Sequence, residues 1–321
     1  MDLKLFFHDR CFDGTASAGL FARFHREVIA ADSHAIPVGL RHRDGDPFEG
    51  VAIDGDDNAC VDFRYSPSPA MRWWFDHHAT AFQPPTLRAD FEARPAETRR
   101  FDPAAPSCAG LIARTLQERW GWVPPPALAE VVRWAEIIDA AAFASAEEAI
   151  SLAAPAQRLA AWIATVGDDA LVARYVAALA DGVALEELDR APWVRRDLEP
   201  LLAGRDRAKD ALATLGRPID DVVLFDLLDH PEVPAPGFLG YALFPACRYS
   251  VSAARHHGAI KIAVGHNPFA APRGHDIGAL CERYGGGGHA AVGGVTLDAD
   301  EVDRARATVA AMVEVLTSPA A

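Results

Sequence analysis

The sequence predicts an α/β protein: a parallel-sheet N-terminal domain over residues 1–195, a linker over 196–218, and a smaller α/β domain over 219–321. Three observations carry that expectation. Short apolar runs alternate with helix-forming segments throughout. The runs of the first half end abruptly in carboxylates and imidazoles, as buried strands do when their carboxyl ends open into a site. And 321 residues are too many for one average domain but suit two.

Half of the residues are hydrophobic and 24% are charged, which fits a soluble globular chain. The opening Met1-Asp2-Leu3-Lys4-Leu5 has no basic stretch leading into a long apolar one, and no window approaches the roughly 20 apolar residues of a membrane span. A cytoplasmic protein with no membrane partner is therefore expected. Cys11, Cys60, Cys108, Cys247 and Cys281 are odd in number, widely spaced and without a CxxC pair, against both a disulfide framework and a zinc ribbon. Most read as buried small hydrophobes. A formal net charge of −14 opposes binding to long duplex DNA, which relies on arrays of Lys and Arg. A short anionic substrate remains compatible, because bound divalent cations reverse the potential of an acidic pocket.

In chain order, residues 3–7 are an apolar run followed by His8-Asp9-Arg10-Cys11-Phe12-Asp13-Gly14 and an Ala-, Leu- and Phe-rich segment to Phe24. This reads as strand, loop, helix, with Gly14 permitting the turn and Thr15 or Ser17 near the helix start. Residues 34–40 read as a second strand. Two short apolar runs, 51–54 and 59–63, flank Gly55-Asp56-Asp57-Asn58, so Asp54, Asp56 and Asp57 read as solvated turn residues. Asp62 instead interrupts an otherwise apolar strand. Residues 73–75 lead into Asp76-His77-His78, either a site at a strand end or a polar turn with solvated histidines; His8 alone reads equally as a surface-loop residue. The segments at 8–13, 60–62 and 135–139 also end in ligand-type residues, and together these favour a metal centre.

Residues 83–106 are rich in Pro, Arg and acids and read as a long surface excursion. Residues 107–120 read as a helix capped by Ser107, and 128–142 as another that carries Asp139 toward its C-terminal end, where a cation would compensate the anion. Ala-rich helices fill 147–202, and 195–215 is the candidate connector. Beyond it, 222–228, 240–244, 249–253, 260–265 and 292–297 read as strands, 277–284 as a helix ending at Gly285, and 300–316 as an amphipathic closing helix. The run Gly285-Gly286-Gly287-Gly288-His289 suits a phosphate-cradling nest or a flexible loop, with His289 able to bond to a phosphate or a terminal hydroxyl.

These motifs, taken in order, resemble the DHH-family phosphoesterases of the two-domain branch with a DHH-associated C-terminal domain. The residues that carry the likeness are His8 to Ser17, Val61-Asp62-Phe63, Asp76-His77-His78, Asp139 and Tyr284-Gly285-Gly286-Gly287-Gly288-His289. The resemblance implies two Mn²⁺ ions, with Mg²⁺, Co²⁺ or another divalent cation as alternatives, and a second domain that closes over the substrate. By position it implies one ion on His8 and Asp62 and the other on Asp13, Asp62, His77 and Asp139, with Asp62 bridging. Asp76 would orient the neighbouring ligands and His78 would face the scissile phosphate.

Two departures stand out. Much of the family carries a second aspartate two residues before the one matched by Asp13, where this chain has Cys11. The first ion then loses a hard ligand, binds weakly, or is a softer ion held by thiolate; a buried bystander is the other reading of Cys11. Where the associated domain often has Ser-x-Arg-Ser, this chain reads Ala263-Val264-Gly265-His266-Asn267-Pro268, with Asn267 the candidate substrate contact there.

The activity expected is a metal-dependent phosphodiesterase that hydrolyses short single-stranded oligonucleotides or linear dinucleotides to nucleoside monophosphates. A polyphosphatase or pyrophosphatase, and a catalytically impaired nucleotide-binding protein, are the alternatives. Polarity of attack and oligomeric state, a homodimer among the options, are left open.

Overall fold

The computed structural model describes residues 1–41, 45–256, 258–270 and 274–318. The chain divides into two units, Met1–Phe143 with Leu152–Leu201, and Ala144–Ser151 with Leu202–Ala321.

The first unit is built on a sheet of five parallel strands: β1 (Asp2–His8), β2 (His34–Leu40), β3 (Asp57–Val61), β4 (Trp73–Asp76) and β5 (Arg99–Phe101), in the order β2-β1-β3-β4-β5. Parallel strands are covered on both faces, so β1 is apolar at successive positions: Leu3, Leu5, Phe6 and Phe7 are all buried. One face receives Phe6, Cys60 and Trp74 with Tyr65, Met71 and Phe82 from the connections. The other is covered by α1 (Phe12–Phe24), nearly every residue of which is buried; Phe21 and Phe24 meet Trp73 edge-on at 5.2 and 5.9 Å. Trp73 and Trp74 thus fill opposite sides of β4, as the two-residue period of a strand requires.

The remaining helices of this unit are α2 (Leu87–Ala93), α3 (Cys108–Trp120), α4 (Pro126–Asp139), and, after α5 (Ala146–Ser151) of the second unit, α6 (Pro155–Thr165), α7 (Asp169–Ala180) and α8 (Leu185–Arg190). Helices α3, α4 and α7 pack on α1. Ser107 caps α3 as expected, its Oγ accepting from Gly110 N at 2.9 Å. Helix α9 (Pro192–Leu215) runs through the division between the units, which falls at Leu201 and Leu202.

The second unit is a six-stranded mixed sheet of β6 (Arg217–Ile219), β7 (Val222–Asp226), β8 (Tyr249–His256), β9 (Ala259–His266), β10 (Gly287–Gly288) and β11 (Val292–Asp298), ordered β10-β11-β9-β8-β7-β6. Only the β7–β8 pairing is parallel. Helix α11 (Ile277–Glu282) and the closing helix α12 (Val302–Thr317), through Ala305, Val309, Met312 and Leu316, pack on one apolar face.

Several expectations are corrected. The stretch 83–106 holds α2 and β5, because Phe91 and Phe101 supply apolar anchors against Trp74 and Phe82. Residues 240–244 are not a strand: α10 (Gly237–Leu243) stands there, burying Gly240 and Tyr241. Gly14 lies inside α1, whose extended N-cap is Cys11; its requirement is close approach, since a Cβ there would stand 2.1 Å from the carbonyl oxygen of His8. Asp57 is no solvated turn residue, and is 4% exposed.

Candidate metal centre

The order β2-β1-β3 places a switch point between β1 and β3, where connections leave in opposite directions and open a crevice at the carboxyl ends of the strands. His8 closes β1, Asp62 follows β3, and Asp76 closes β4 with His77 and His78 behind it. Asp13 enters from the first turn of α1 and Asp139 from the last residue of α4.

Each side chain is held in place. Asp62 has a φ of 57°, a left-handed conformation that aspartate tolerates better than most residues, and its amide is pinned to the Phe75 carbonyl at 2.9 Å. Asp62 is therefore not within a strand as expected; it ends one, with its carboxylate turned aside. Asp13 sits against the N-terminus of α3, accepting from the amides of Cys108 at 2.6 Å and Ala109 at 2.9 Å, where a helix favours an anion. His77 Nδ1 donates to the Ala105 carbonyl at 2.9 Å, which turns Nε2 toward Asp139, Asp62 and Asp13 at 3.4, 3.5 and 3.6 Å. Asp76, fully buried, accepts from the amides of His77 and His78 and bonds His78 Nδ1 at 2.7 Å. The orienting groups Ala105, Cys108 and Ala109 carry no mark in the sequence because they act through their backbones.

Three donor groups share Asp62: His8, Cys11 and Asp62 form one, Asp13, Asp62 and His77 another, and Asp62, Asp76 and His78 a third, each with its ligand atoms within 4.8 Å of one another. His8 Nδ1 lies 3.4 Å from Asp62 Oδ2. Both oxygens of Asp62 are buried and accept no hydrogen bond. A buried carboxylate in that condition is costly unless a cation meets it. Donors about 2.1 Å from one ion and 90–110° apart are separated by roughly 3.0–3.4 Å, close to the spacings found. The donor set fits divalent cations.

The electrostatics agree. Burial, with the charges of Asp62 and Asp139, raises Asp13 well above the ordinary carboxylate range, and burial with the Asp62 charge raises Asp139. Burial also opposes charge on Asp62, but His77 and His8 outweigh it and hold its carboxyl well below the usual range. Burial likewise opposes a charged His77, yet the carboxylates of Asp62, Asp13 and Asp139 push it up to about 11; Asp76 pushes His78 up to about 9 against its burial. A proton among three carboxylates occupies the electrostatic position that a cation would take.

In the second unit, the glycine run is not a free loop. Gly287 and Gly288 form β10 against Gly294 and Gly293 of β11, and a Cβ on Gly286 or Gly288 would lie 2.0 or 2.3 Å from a backbone oxygen of β11 or its approach. Gly285 and Gly288 have positive φ, 82° and 146°. These glycines let backbone pack directly on backbone. His289 follows, its amide bonded to the Val292 carbonyl at 2.7 Å. Asn267 is 1% exposed; its Nδ2 donates to Cys247 O and its Oδ1 accepts from Phe269 N, so its amide holds the loop together.

The fold is that of the DHH phosphoesterases. A pGpG-specific phosphodiesterase, PggH from Vibrio cholerae, superposes with a TM-score of 0.65 at 20% identity, covering 98% of this chain and 100% of that one. An exopolyphosphatase-related protein from Bacteroides fragilis gives 0.53 at 12% identity over 99% and 94% of the two chains. RecJ from Thermus thermophilus, in complex with Mn²⁺, gives 0.53 at 17% identity over 99% of this chain and 53% of its own. No family model matches the chain, and no curated protein matches it in sequence.

Proposed function

We propose that the chain is a metal-dependent phosphodiesterase of the DHH type that hydrolyses linear dinucleotides or short single-stranded oligonucleotides to nucleoside monophosphates. The observation that carries this reading is the set of donor groups meeting at Asp62 in the crevice at the switch point, two of which, with His8 and Cys11 and with Asp13 and His77, lie on either side of it. His8 and Asp62 would hold one divalent cation, and Asp13, Asp62, His77 and Asp139 the other, with Mn²⁺ the first choice. Such cations supply Lewis-acid charge for a phosphoryl oxygen and for an attacking water.

The chain's own residues do the rest. Asp13 is fixed through both oxygens by the α3 amides, and His77 through Nδ1 by the Ala105 carbonyl, so both are held at the crevice without reorganisation. Asp76 holds His78 by Nδ1 at 2.7 Å and so fixes the orientation of its imidazole, which would face a phosphoryl oxygen of the substrate. Gly285, Gly286, Gly287 and Gly288 with His289 would contact the nucleotide end in the second unit.

The full mutual coverage with a protein described as pGpG-specific favours a dinucleotide substrate. A hydrolysis panel with Mn²⁺ tests this: pGpG, other linear dinucleotides, oligonucleotides of increasing length, inorganic polyphosphate and pyrophosphate. Turnover of dinucleotides that varies with the base supports the proposal. Turnover of polyphosphate alone would establish the polyphosphatase reading, which offers nothing to a stacking surface. Cation binding without turnover of any of them would make the chain a nucleotide-binding protein.

A further inference from the structure

Resting on the two-cation reading above, we propose that Cys11 is a metal ligand. The cation nearer His8 is held by the Cys11 thiolate, the His8 imidazole and the Asp62 carboxylate, and is Zn²⁺, Co²⁺ or Fe²⁺ in preference to Mn²⁺ or Mg²⁺. The site of Asp13, His77 and Asp139 remains the harder one.

Cys11 stands between His8 at the end of β1 and Asp13 in the first turn of α1, and its sulfur lies within 4.8 Å of a ligand atom of each of His8 and Asp62. It is the N-cap of α1 and makes no side-chain capping hydrogen bond. Two other cysteines in this unit differ. Cys108 donates to the Phe75 carbonyl at 3.3 Å and Cys60 faces the Arg64 carbonyl at 3.9 Å, as buried structural thiols do. The independent sign of a ligand is Asp62, 1% exposed, with both oxygens buried and accepting no hydrogen bond beside that sulfur.

Sulfur, nitrogen and oxygen donors together suit a borderline transition ion, whereas a carboxylate in place of Cys11 would suit Mn²⁺. On binding, the thiol proton leaves to solvent as the metal–sulfur bond forms. Three protein donors leave positions open for water or substrate, the arrangement of a catalytic rather than a structural site.

The test is spectroscopic and needs no turnover. Titrating the full chain with Co²⁺ without oxygen should give two ions per chain and a near-ultraviolet thiolate-to-cobalt charge-transfer band. Cys11→Ser should lose the band and weaken one of the two sites by roughly tenfold or more, keeping the visible absorption of the other. Cys108→Ala should keep the band. Cys11→Asp should lose it and bind Mn²⁺ more tightly than the parent chain. Two ions without the band, or a band that survives Cys11→Ser, would overturn the assignment while leaving the two-cation reading intact. No binding of Co²⁺, Zn²⁺ or Mn²⁺ would overturn both. Should Cys11→Ser not fold, X-ray absorption on the Zn²⁺-loaded parent chain decides: one sulfur neighbour at about 2.3 Å supports the proposal, and a shell of nitrogen and oxygen alone overturns it.

Discussion

Asp54 and Asp57 belong to one acidic stretch and meet opposite surroundings. Asp54 is exposed and pairs with Lys4. The Asp57 carboxylate is buried and its Oδ2 accepts from Trp73 Nε1 and Arg72 at 2.9 Å each, with His25 Nε2 at 3.1 Å and Ser33 on the far side of that imidazole. Although the chain Ser33–His25–Asp57 has the residue types of a hydrolytic triad, His25 is fully buried, so it ties β3 and β4 to the end of α1. Asp57→Ala should cost about 3 kcal/mol in urea unfolding, because it strands buried donors, whereas Asp54→Ala should change little. The pH dependence has a sign. Burial works against the Asp57 carboxylate, but its bonds to His25 and Trp73 and the Arg72 charge lower its pKa below the ordinary 3.8. A lowered folded pKa contributes stability above the unfolded value and loses it as pH falls through the folded one. The gap between the parent chain and Asp57→Ala should be widest at neutral pH and close in acid.

At the scale of elements, the first turn of α1 must lie against the end of β1 for Asp13 and His8 to share a crevice, and only Gly14 permits it. Gly14→Ala sets a Cβ against the backbone oxygen of His8, which cannot rotate away, so we expect about 2–3 kcal/mol of destabilisation and weakened cation binding together, read by thermal melting and metal titration. A stability loss below 1 kcal/mol would show that the helix can slide. Strands β1, β2, β3 and β4 are legible in the sequence because short apolar runs of this length suit buried parallel strands, and three of them run into a carboxylate or imidazole. The ligand-type residues His8, Asp13, Asp62, His77 and Asp139 are legible because polar groups of these types cluster at the ends of apolar segments. The role of Asp57 is not, because burial of an aspartate is decided by His25 and Trp73, distant in sequence. Residues 240–244 have the composition of a strand, and packing makes them part of a helix and its end. Gly14 looks like a turn residue because sequence shows a missing side chain but not the backbone atom that fills its place.

The whole chain carries a net charge of −14, and part of that excess converges where Asp13 and Asp62 are each 1% exposed. Cations that bind the folded chain and not the unfolded one stabilise it by mass action, by roughly 2.7 kcal/mol at about a hundred times the dissociation constant. Mn²⁺ should therefore raise the melting temperature by several degrees and chelator should reverse it; an unchanged melting temperature would mean that the carboxylates are balanced by protons alone. Among the described residues no helix is long and apolar enough to cross a membrane. If the second unit holds the nucleotide end as proposed, His289→Ala should lower kcat/KM for a dinucleotide by roughly 1.5–3 kcal/mol while sparing a small unspecific phosphodiester that needs only the metal centre. Equal losses on both substrates would place His289 in catalysis or folding. Whether Asp62 joins two cations into one hydrolytic site is read directly from nucleoside monophosphate release from a linear dinucleotide in Mn²⁺, comparing the parent chain with Asp62→Asn, which keeps a residue tolerant of the left-handed backbone. We expect Mn²⁺-dependent release in the parent and a loss of at least about a hundredfold in the folded variant. Release that needs no metal, or that survives Asp62→Asn, would contradict a bridged two-cation site.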